Sequence, residues 1–232
     1  GLFGGQYGDY LLDFLDEINK PIAFTFHSVI PNPNETLKSL VQLLISYSEA
    51  IFVMTHKSKK ILMEDYCLAE SSIALVPHGT HLVDYETTAE AKKKFDFEDR
   101  IILSTFGLLG EGKSIETGLK ALPEIVKQFP NVLYLVLGRT HPNAIENNVD
   151  KYRNSLQQIV EELHLENNVR FVNEYLEVNQ LLDYLKATDV YLFTSKDPNQ
   201  AVSGTFSYAM SCSCPIVASK IPHTMESLTS DV

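Results

Sequence analysis

The chain has 232 residues, of which 44% are hydrophobic, and a formal net charge of −11. This length and apolar content suit one large domain or two smaller ones with a proper core. The acidic balance argues against a nucleic-acid-binding protein, and no apolar run reaches the roughly 18 residues that span a bilayer. Three cysteines form an odd and sparse set, which is typical of reduced thiols in a cytoplasmic protein.

Segments typical of strands and helices alternate from the start of the chain. Short apolar runs predict strands, and apolar residues at helical spacing predict the helices between them. Thr55 has the residue type and position of a helix N-cap. The first predicted elements are a strand over residues 21–26, a helix over 35–47, a strand over 50–54, a helix over about 57–66 and a strand over 73–76.

A charged stretch over residues 84–100 interrupts this alternation and is typical of a linker followed by an exposed helix. The alternation then restarts with strands predicted over residues 101–106, 132–137, 169–171, 190–193 and 215–217, and helices over 114–129, 150–163, 178–187 and about 204–212. Repeated strand–helix units predict an α/β protein with parallel sheets and helices on both faces. The interruption predicts two such sheets, and the first has few strands.

The most informative stretch is the glycine-rich turn that follows the strand over residues 101–106. Three glycines precede a lysine, Lys113, which opens the next helical pattern. Free backbone N–H groups at a helix N-terminus favour an anion, and the lysine adds a positive charge. The spacing fits neither a P-loop nor G-x-G-x-x-G, so the turn predicts either a phosphate site or a tight structural turn.

Four segments in order resemble a GT-B fold glycosyltransferase of the GT4-type family, also called glycosyltransferase group 1. Residues 21–28 resemble the strand that ends in the family's active-site histidine, here His27. Residues 76–81 resemble the interdomain linker I-P-N-G-V-D. Residues 106–113 resemble the donor-phosphate loop G-R-L-x-x-x-K-G, and residues 203–217 resemble the segment F-G-x-x-x-x-E-A-M-A-x-G-x-P-V-V.

The resemblance implies a GT-B architecture of two Rossmann-like, doubly wound parallel-sheet domains. Residues 1–84 would be a partial N-terminal, acceptor-side domain with its linker, and residues 85–232 a C-terminal nucleotide-sugar-binding domain without its last helices. We therefore expect the chain to be an internal portion of a longer protein.

The resemblance also implies a set of site residues. His27 and Lys113 are the expected catalytic residues. The expected donor-binding residues are Gly4, Gly5, Gly107, Gly110, Gly112, Lys113, Arg139, Gln200, Ser203, Gly204, Thr205 and Tyr208. In open α/β sheets, ligands lie at the carboxyl ends of the strands, which most of these residues follow.

The chain departs from the family pattern at three positions. The E-x7-E carboxylates correspond to Gln200 and Tyr208, and the arginine of G-R-L corresponds to Leu108. Arg139, after the strand over residues 132–137, could supply the missing cation, or it is a solvated loop arginine. Backbone N–H and hydroxyl groups of Ser203–Thr205 could hold phosphate instead of the lost carboxylate network. The alternative is a protein that binds a sugar nucleotide without turning it over.

The predicted function is a retaining, metal-independent glycosyltransferase of polysaccharide biosynthesis. It moves a hexose from a nucleoside-diphosphate sugar to a carbohydrate or lipid-linked acceptor, with no cofactor, no metal and no nucleic-acid partner. The predicted location is the cytoplasm, and peripheral membrane contact through regions outside this chain stays open. The alternatives are an inactive sugar-nucleotide-binding subunit, or a GT-B sugar phosphorylase or epimerase.

Overall fold

The computed structural model describes residues 10–140, 145–146 and 149–228. These residues form two compact units. The first unit comprises the chain up to His78, together with Asn199–Val202 and the segment from Met225 onward. The second unit comprises Gly79–Pro198 and Ser203–Thr224. Gly4 and Gly5, two of the expected donor-binding residues, lie outside the described residues.

The first unit contains a parallel sheet of three strands, joined in chain order. Its elements are α1 (Tyr10–Asp16), β1 (Ala23–Phe26), α2 (Glu35–Ser46), β2 (Ala50–Val53), α3 (His56–Glu64) and β3 (Ile73–Leu75). The predicted N-cap is confirmed, because the Thr55 side chain accepts a hydrogen bond from Ser58 N. The Glu226 carboxylate also accepts from His56 N and Lys57 N, so it binds the first turn of α3. A carboxylate is favourable there because the helix dipole is positive at this end.

The second unit is built on a parallel sheet of five strands. Its elements are α4 (Thr88–Lys93), β4 (Ile101–Phe106), α5 (Ile115–Gln128), β5 (Val132–Leu137), β6 (Ile145–Glu146), β7 (Val149–Asp150), α6 (Lys151–Glu162), β8 (Val169–Val172), α7 (Val178–Lys186), β9 (Val190–Phe193), α8 (Gly204–Ser211) and β10 (Ile216–Ala218). The strand order is β10-β9-β4-β5-β8, and β6 pairs with β7 as a separate antiparallel ribbon. The chain continues into α9 (Pro222–Ser227), within which the boundary between the units falls.

Strand β5 shows how the second unit forms its core. All six of its residues are buried, and they alternate between two hydrophobic clusters. Leu133, Leu135 and Leu137 pack into one cluster, and Val132, Tyr134 and Val136 pack into the other. A continuous apolar run is therefore the expected sequence of a central strand that is covered by helices on both faces. The predicted α/β class with parallel sheets is confirmed.

The structure differs from the sequence prediction in its small elements. Helix α1, the β6–β7 ribbon and helix α9 were not predicted, because each is too short to show a clear apolar period. The helix predicted from residue 114 begins at Ile115, since Ser114 takes a left-handed φ of 50° after a 3-10 turn over Glu111–Lys113. None of the described helices is long and apolar enough to cross a membrane.

Candidate donor site at the carboxyl edge of the second sheet

The ends of β4 and β5 meet through their backbones. Gly107 N donates to Leu137 O at 3.1 Å, and Leu109 N donates to Arg139 O at 2.8 Å. A Cβ built on Gly138 would lie 2.3 Å from Gly107 O. Both glycines have positive φ values, +134° at Gly107 and +117° at Gly138. No side chain fits at Gly138, and the left-handed φ of Gly107 favours glycine there as well. This contact leaves a surface of bare backbone at the edge of the sheet.

The 3-10 turn after β4 places Lys113 beside that surface. Its backbone N donates to Gly110 O at 2.9 Å, and its carbonyl accepts from Thr194 Oγ1 at 2.7 Å, just after β9. Lys196 N also donates to Gly112 O at 3.0 Å. The turn is therefore fastened to the neighbouring strand end. A Cβ built on Gly107 would lie 3.6 Å from Lys113 Nζ, which locates the ammonium group beside the glycine turn.

The Lys113 ammonium is partly buried, and this burial lowers its pKa below the ordinary lysine value. Across the described part of the chain, no carboxylate and no hydrogen-bond acceptor contacts Nζ. A partly dehydrated cation without a counter-charge is unfavourable in an empty protein and becomes favourable when an anion binds. Lys113 therefore has the environment of an anion-binding residue.

Helix α8 provides the third side of the site. Its N-cap, Ser203, accepts a hydrogen bond from Phe206 N at 3.4 Å and pairs with Thr205 Oγ1 at 3.0 Å. The amides of Gly204 and Thr205 belong to the first helical turn, whose N–H groups have no intrahelical acceptor. Thr205 Cγ2 would lie 3.2 Å from a Cβ built on Gly107, so this helix end and the glycine turn are in contact.

A cavity of about 330 Å³ lies between these turns. This volume is in the range of small-molecule sites. Its walls are mostly apolar, with Arg139 and Glu174 as charged residues. The lining residues are Phe106, Gly107, Leu108, Leu137, Gly138, Arg139, Glu174, Tyr175, Leu176, Val178, Leu181, Gly204, Thr205 and Tyr208.

The structure brings several expected donor-binding residues together. Gly107, Arg139, Gly204, Thr205 and Tyr208 line the cavity. Lys113 lies beside Gly107, and Ser203 is buried at the base of α8. Gly110 is the N-cap of the 3-10 turn and Gly112 belongs to it; like Lys113, neither is a residue that lines the cavity.

Two expected site residues belong to the first unit. His27 is exposed directly after β1, where its ring meets the His78 ring edge-on, with centroids 6.5 Å apart. Gln200 donates from Nε2 to Val202 O at 3.1 Å.

The departures from the family pattern have visible consequences in the cavity. Leu108 is 49% exposed and adds apolar surface where the pattern has arginine. Tyr208, in place of the second carboxylate, pairs through its hydroxyl with His81 Nε2 at 2.9 Å. Its ring meets that of His81 edge-on, with centroids 5.2 Å apart. A hydrogen-bonded tyrosine and histidine thus stand where the family pattern has a carboxylate.

Sequence reasoning missed one wall of the cavity. Glu174, Tyr175, Leu176 and Val178 follow β8 and were not proposed as site residues. Their position after a strand of the parallel sheet was the available signal, since this edge is where ligands bind. His223, which contacts the N-cap of α8, had no assigned role either.

No cluster of three or more His, Cys, Asp or Glu side chains that could hold a metal ion is found within the described ranges. The positive charge near the cavity comes from Lys113, Arg139 and the first turn of α8.

Comparison with known proteins matches this architecture to one family. The sequence profile described as "Glycosyl transferases group 1" matches residues 86–232. An uncharacterized glycosyltransferase of Methanocaldococcus jannaschii is 21% identical over 176 residues, which are 74% of this chain and 40% of that protein.

Solved structures of low sequence identity share the fold. The Anabaena protein HepE, crystallised in complex with UDP, superposes with a TM-score of 0.74 at 18% identity, over 95% of this chain and 57% of that one. A glycosyltransferase from Rickettsia africae gives a TM-score of 0.73 at 16% identity, over 98% and 58% of the two chains. The predicted GT-B fold class is confirmed. The chain spans between two fifths and three fifths of the length of these relatives.

Proposed function

The chain belongs to the glycosyl transferases group 1 family, and from that premise we propose that it transfers a hexose from a nucleoside-diphosphate sugar to a carbohydrate or lipid-linked acceptor, with retention of anomeric configuration. The observation that carries this proposal is the Lys113 ammonium, which is partly buried beside the cavity and contacts no acceptor among the described residues. A diphosphate would supply the missing counter-charge.

Lys113 would stabilise the leaving diphosphate. Negative charge grows on the phosphate oxygens as the bond to the sugar breaks, and a fixed cation in a partly dry site lowers the energy of that state. The first-turn amides of Gly204 and Thr205 would donate hydrogen bonds to the same group. These groups together provide the electrostatic stabilisation that other transferases obtain from a bound metal, so we propose a metal-independent reaction.

The apolar wall would hold the nucleoside. Tyr175, Leu176 and Val178 offer flat and aliphatic surface to a base, and Arg139 would contact a phosphate or ribose oxygen at the rim. Uracil is the first base to test, because structures of HepE have been solved with UDP and with UDP-glucose. His27, by its resemblance to the family histidine, is proposed to orient the transferring sugar, and Gly4 and Gly5 are proposed to contact the donor.

Calorimetry tests the donor site directly. UDP, GDP and ADP would be titrated, with and without a hexose, into the unsubstituted chain, Lys113→Ala and Lys120→Ala. Lys120 is a matched control because it is an exposed lysine on α5. We expect one nucleotide to bind, and Lys113→Ala to weaken its affinity at least tenfold, or about 1.4 kcal/mol. Equal affinities for the two lysine variants would refute the role of Lys113.

A second candidate function is a sugar-nucleotide-binding subunit without turnover. The specific observation in its favour is that the two family carboxylates are Gln200 and Tyr208, and that the Tyr208 hydroxyl is already paired with His81. Restoring both carboxylates with Gln200→Glu and Tyr208→Glu separates the two functions. If the doubly substituted variant transfers sugar and the unsubstituted chain does not, the unsubstituted chain is the inactive subunit. If the unsubstituted chain transfers sugar and the variant loses this activity, the active site is rebuilt around neutral groups. The anomeric configuration of any product tests retention.

A further inference from the structure

His223 lies behind the N-terminal turn of α8 and has no part in the chemistry proposed above. Its side chain is only 8% exposed, and its Nδ1 accepts a hydrogen bond from Ser203 N at 3.0 Å. Ser203 is the N-cap of α8, and the next two residues, Gly204 and Thr205, line the cavity. One imidazole nitrogen therefore holds the backbone immediately before two residues that line the cavity.

The imidazole is itself held in a fixed orientation. Its ring meets the fully buried Phe206 ring edge-on, with centroids 4.9 Å apart and an interplanar angle of 73°. The adjacent Thr224 hydroxyl donates to Ser219 O at 2.7 Å, and Ser219 N donates to Phe193 O at 2.8 Å at the end of β9. The segment that carries His223 is thus tied to the central sheet.

Ser203 N requires a hydrogen-bond acceptor that helix α8 cannot provide, and His223 Nδ1 provides it. Ser203 is 3% exposed, and its N–H precedes the helix, so no carbonyl of α8 can accept from it. A buried backbone N–H requires an acceptor, and an unprotonated imidazole nitrogen provides one. Without it, the N-cap would have to turn toward another acceptor, and the first-turn amides would turn with it.

We propose that His223 is a positioning residue, which aims the Gly204 and Thr205 amides at the donor diphosphate through its bond to Ser203 N. The proposal rests on the donor site described under the proposed function. It assigns to His223 no contact with the ligand, so its removal should weaken donor binding only through the geometry of the α8 turn.

The test compares His223→Asn with His223→Leu. The two side chains have nearly the same shape, but only asparagine carries an oxygen close to the position of Nδ1. Calorimetry with UDP, GDP and ADP on both variants, the unsubstituted chain and Lys113→Ala gives the dissociation constants, and thermal melts show whether the two His223 variants are equally folded. We expect His223→Leu to bind the nucleotide at least about fivefold more weakly than His223→Asn, or about 1 kcal/mol.

A smaller difference between the Asn and Leu variants overturns the positioning role, because loss of the ring alone would then explain both. If His223→Leu does not fold, His223→Gln takes its place, since its amide reaches the position of Nε2 and leaves Ser203 N without an acceptor. Failure of the unsubstituted chain to bind any nucleotide overturns the donor site itself. Binding that depends on Lys113 but not on the residue at position 223 overturns only the inference about His223.

Discussion

Arg153 and Lys113 both lie next to the glycine turns of the second unit, but only Arg153 has a counter-charge among the described residues. Arg153, 5% exposed, donates from Nη2 to Gly138 O at 2.7 Å and forms an ion pair with Asp150, with Nε 3.5 Å from Oδ2. Asp150 in turn accepts from the Thr140 hydroxyl and from Arg153 N. Lys113 lies beside the Gly107 turn, yet no acceptor in the described part of the chain reaches its ammonium.

The difference separates a structural cation, Arg153, from the proposed ligand-binding cation, Lys113. Arg153 completes a network that fixes the turn after β5, and its charge is already balanced. We propose that the charge of Lys113 is balanced by a bound anion instead. Burial alone does not make this distinction, because both side chains have a pKa lowered by dehydration. The two residues are distinguished by their counter-charges, because Arg153 is paired with Asp150 and Lys113 has no such partner among the described residues.

The largest expected effect is a loss of stability when Arg153 is replaced. Replacing it with leucine removes the donor from Gly138 O and leaves the partly buried Asp150 carboxylate without its cation. We expect a loss of about 3 kcal/mol in the free energy of unfolding, because breaking one side of a buried pair strands the other. Chemical denaturation of Arg153→Leu measures this loss. Arg139→Leu, at an exposed arginine, is the control and should change stability by less than about 0.5 kcal/mol.

The second expected effect is a gain of stability when Lys113 is replaced, which is the opposite of the loss expected at Arg153. Lys113→Met keeps the length of the side chain and removes an unpaired, partly buried charge. We expect a rise in melting temperature of about 2–4 °C, together with at least a tenfold loss of nucleotide affinity. Thermal melts and calorimetry on the same sample give both values. A fall in melting temperature would show that Lys113 is structural, like Arg153, and Lys120→Met controls for the general effect of added apolar surface.

The lowered pKa of Lys113 predicts a pH dependence. Only the ammonium form attracts phosphate, so nucleotide affinity should be constant near pH 7 and fall as the pH rises through the lowered pKa, below the ordinary 10.5. The terminal phosphate, whose second pKa is about 6, is nearly fully ionised from about pH 8 upward and does not cause this fall. In the free protein, stability should rise over the same window, because the unfolded chain then binds more protons than the folded one. Calorimetry from pH 7 upward checks the first point, and Lys113→Arg should remove the fall.

The smallest effect tests whether an unpaired polar group is by itself a sign of function. The Tyr134 hydroxyl is fully buried, has Thr105 as a polar neighbour but no hydrogen bond of good geometry among the described residues, and does not line the cavity at the carboxyl edge. Tyr134→Phe should raise stability by about 1 kcal/mol and leave nucleotide binding unchanged. Tyr152→Phe is the matched control. It should lower stability, because the Tyr152 hydroxyl accepts from Ile115 N and donates to Glu116.

The sequence predicted the long elements well because their apolar periods are strong. Strands β4, β5 and β9 have the predicted bounds, and the carboxyl edge of their sheet carries Gly107, Lys113 and Thr205 as expected. The prediction was weaker where structure depends on contacts between distant segments. The close approach of Gly138 to Gly107 and the bond from Ser203 to His223 join residues 31 and 20 positions apart, and no local pattern encodes them.

The wall formed by Tyr175, Leu176 and Val178 was missed for a different reason. These residues follow β8 in a stretch with neither glycine nor a charged motif, so their types resemble those of an ordinary loop. Their role depends on the strand order, which places β8 next to β5 at the edge of the sheet. Strand order is a property of the whole sheet and cannot be obtained from the sequence of one strand.

The contact between Gly107 and Gly138 limits how this protein can diversify. Each glycine adopts a backbone conformation that L-residues avoid, and at Gly138 a single added carbon would overlap the carbonyl of Gly107. A saturation library at position 138 should therefore return glycine alone, and a library at position 107 should return little else. A change of ligand preference is therefore expected to come from the side chains around these two glycines, such as Leu108, Arg139 and Tyr175.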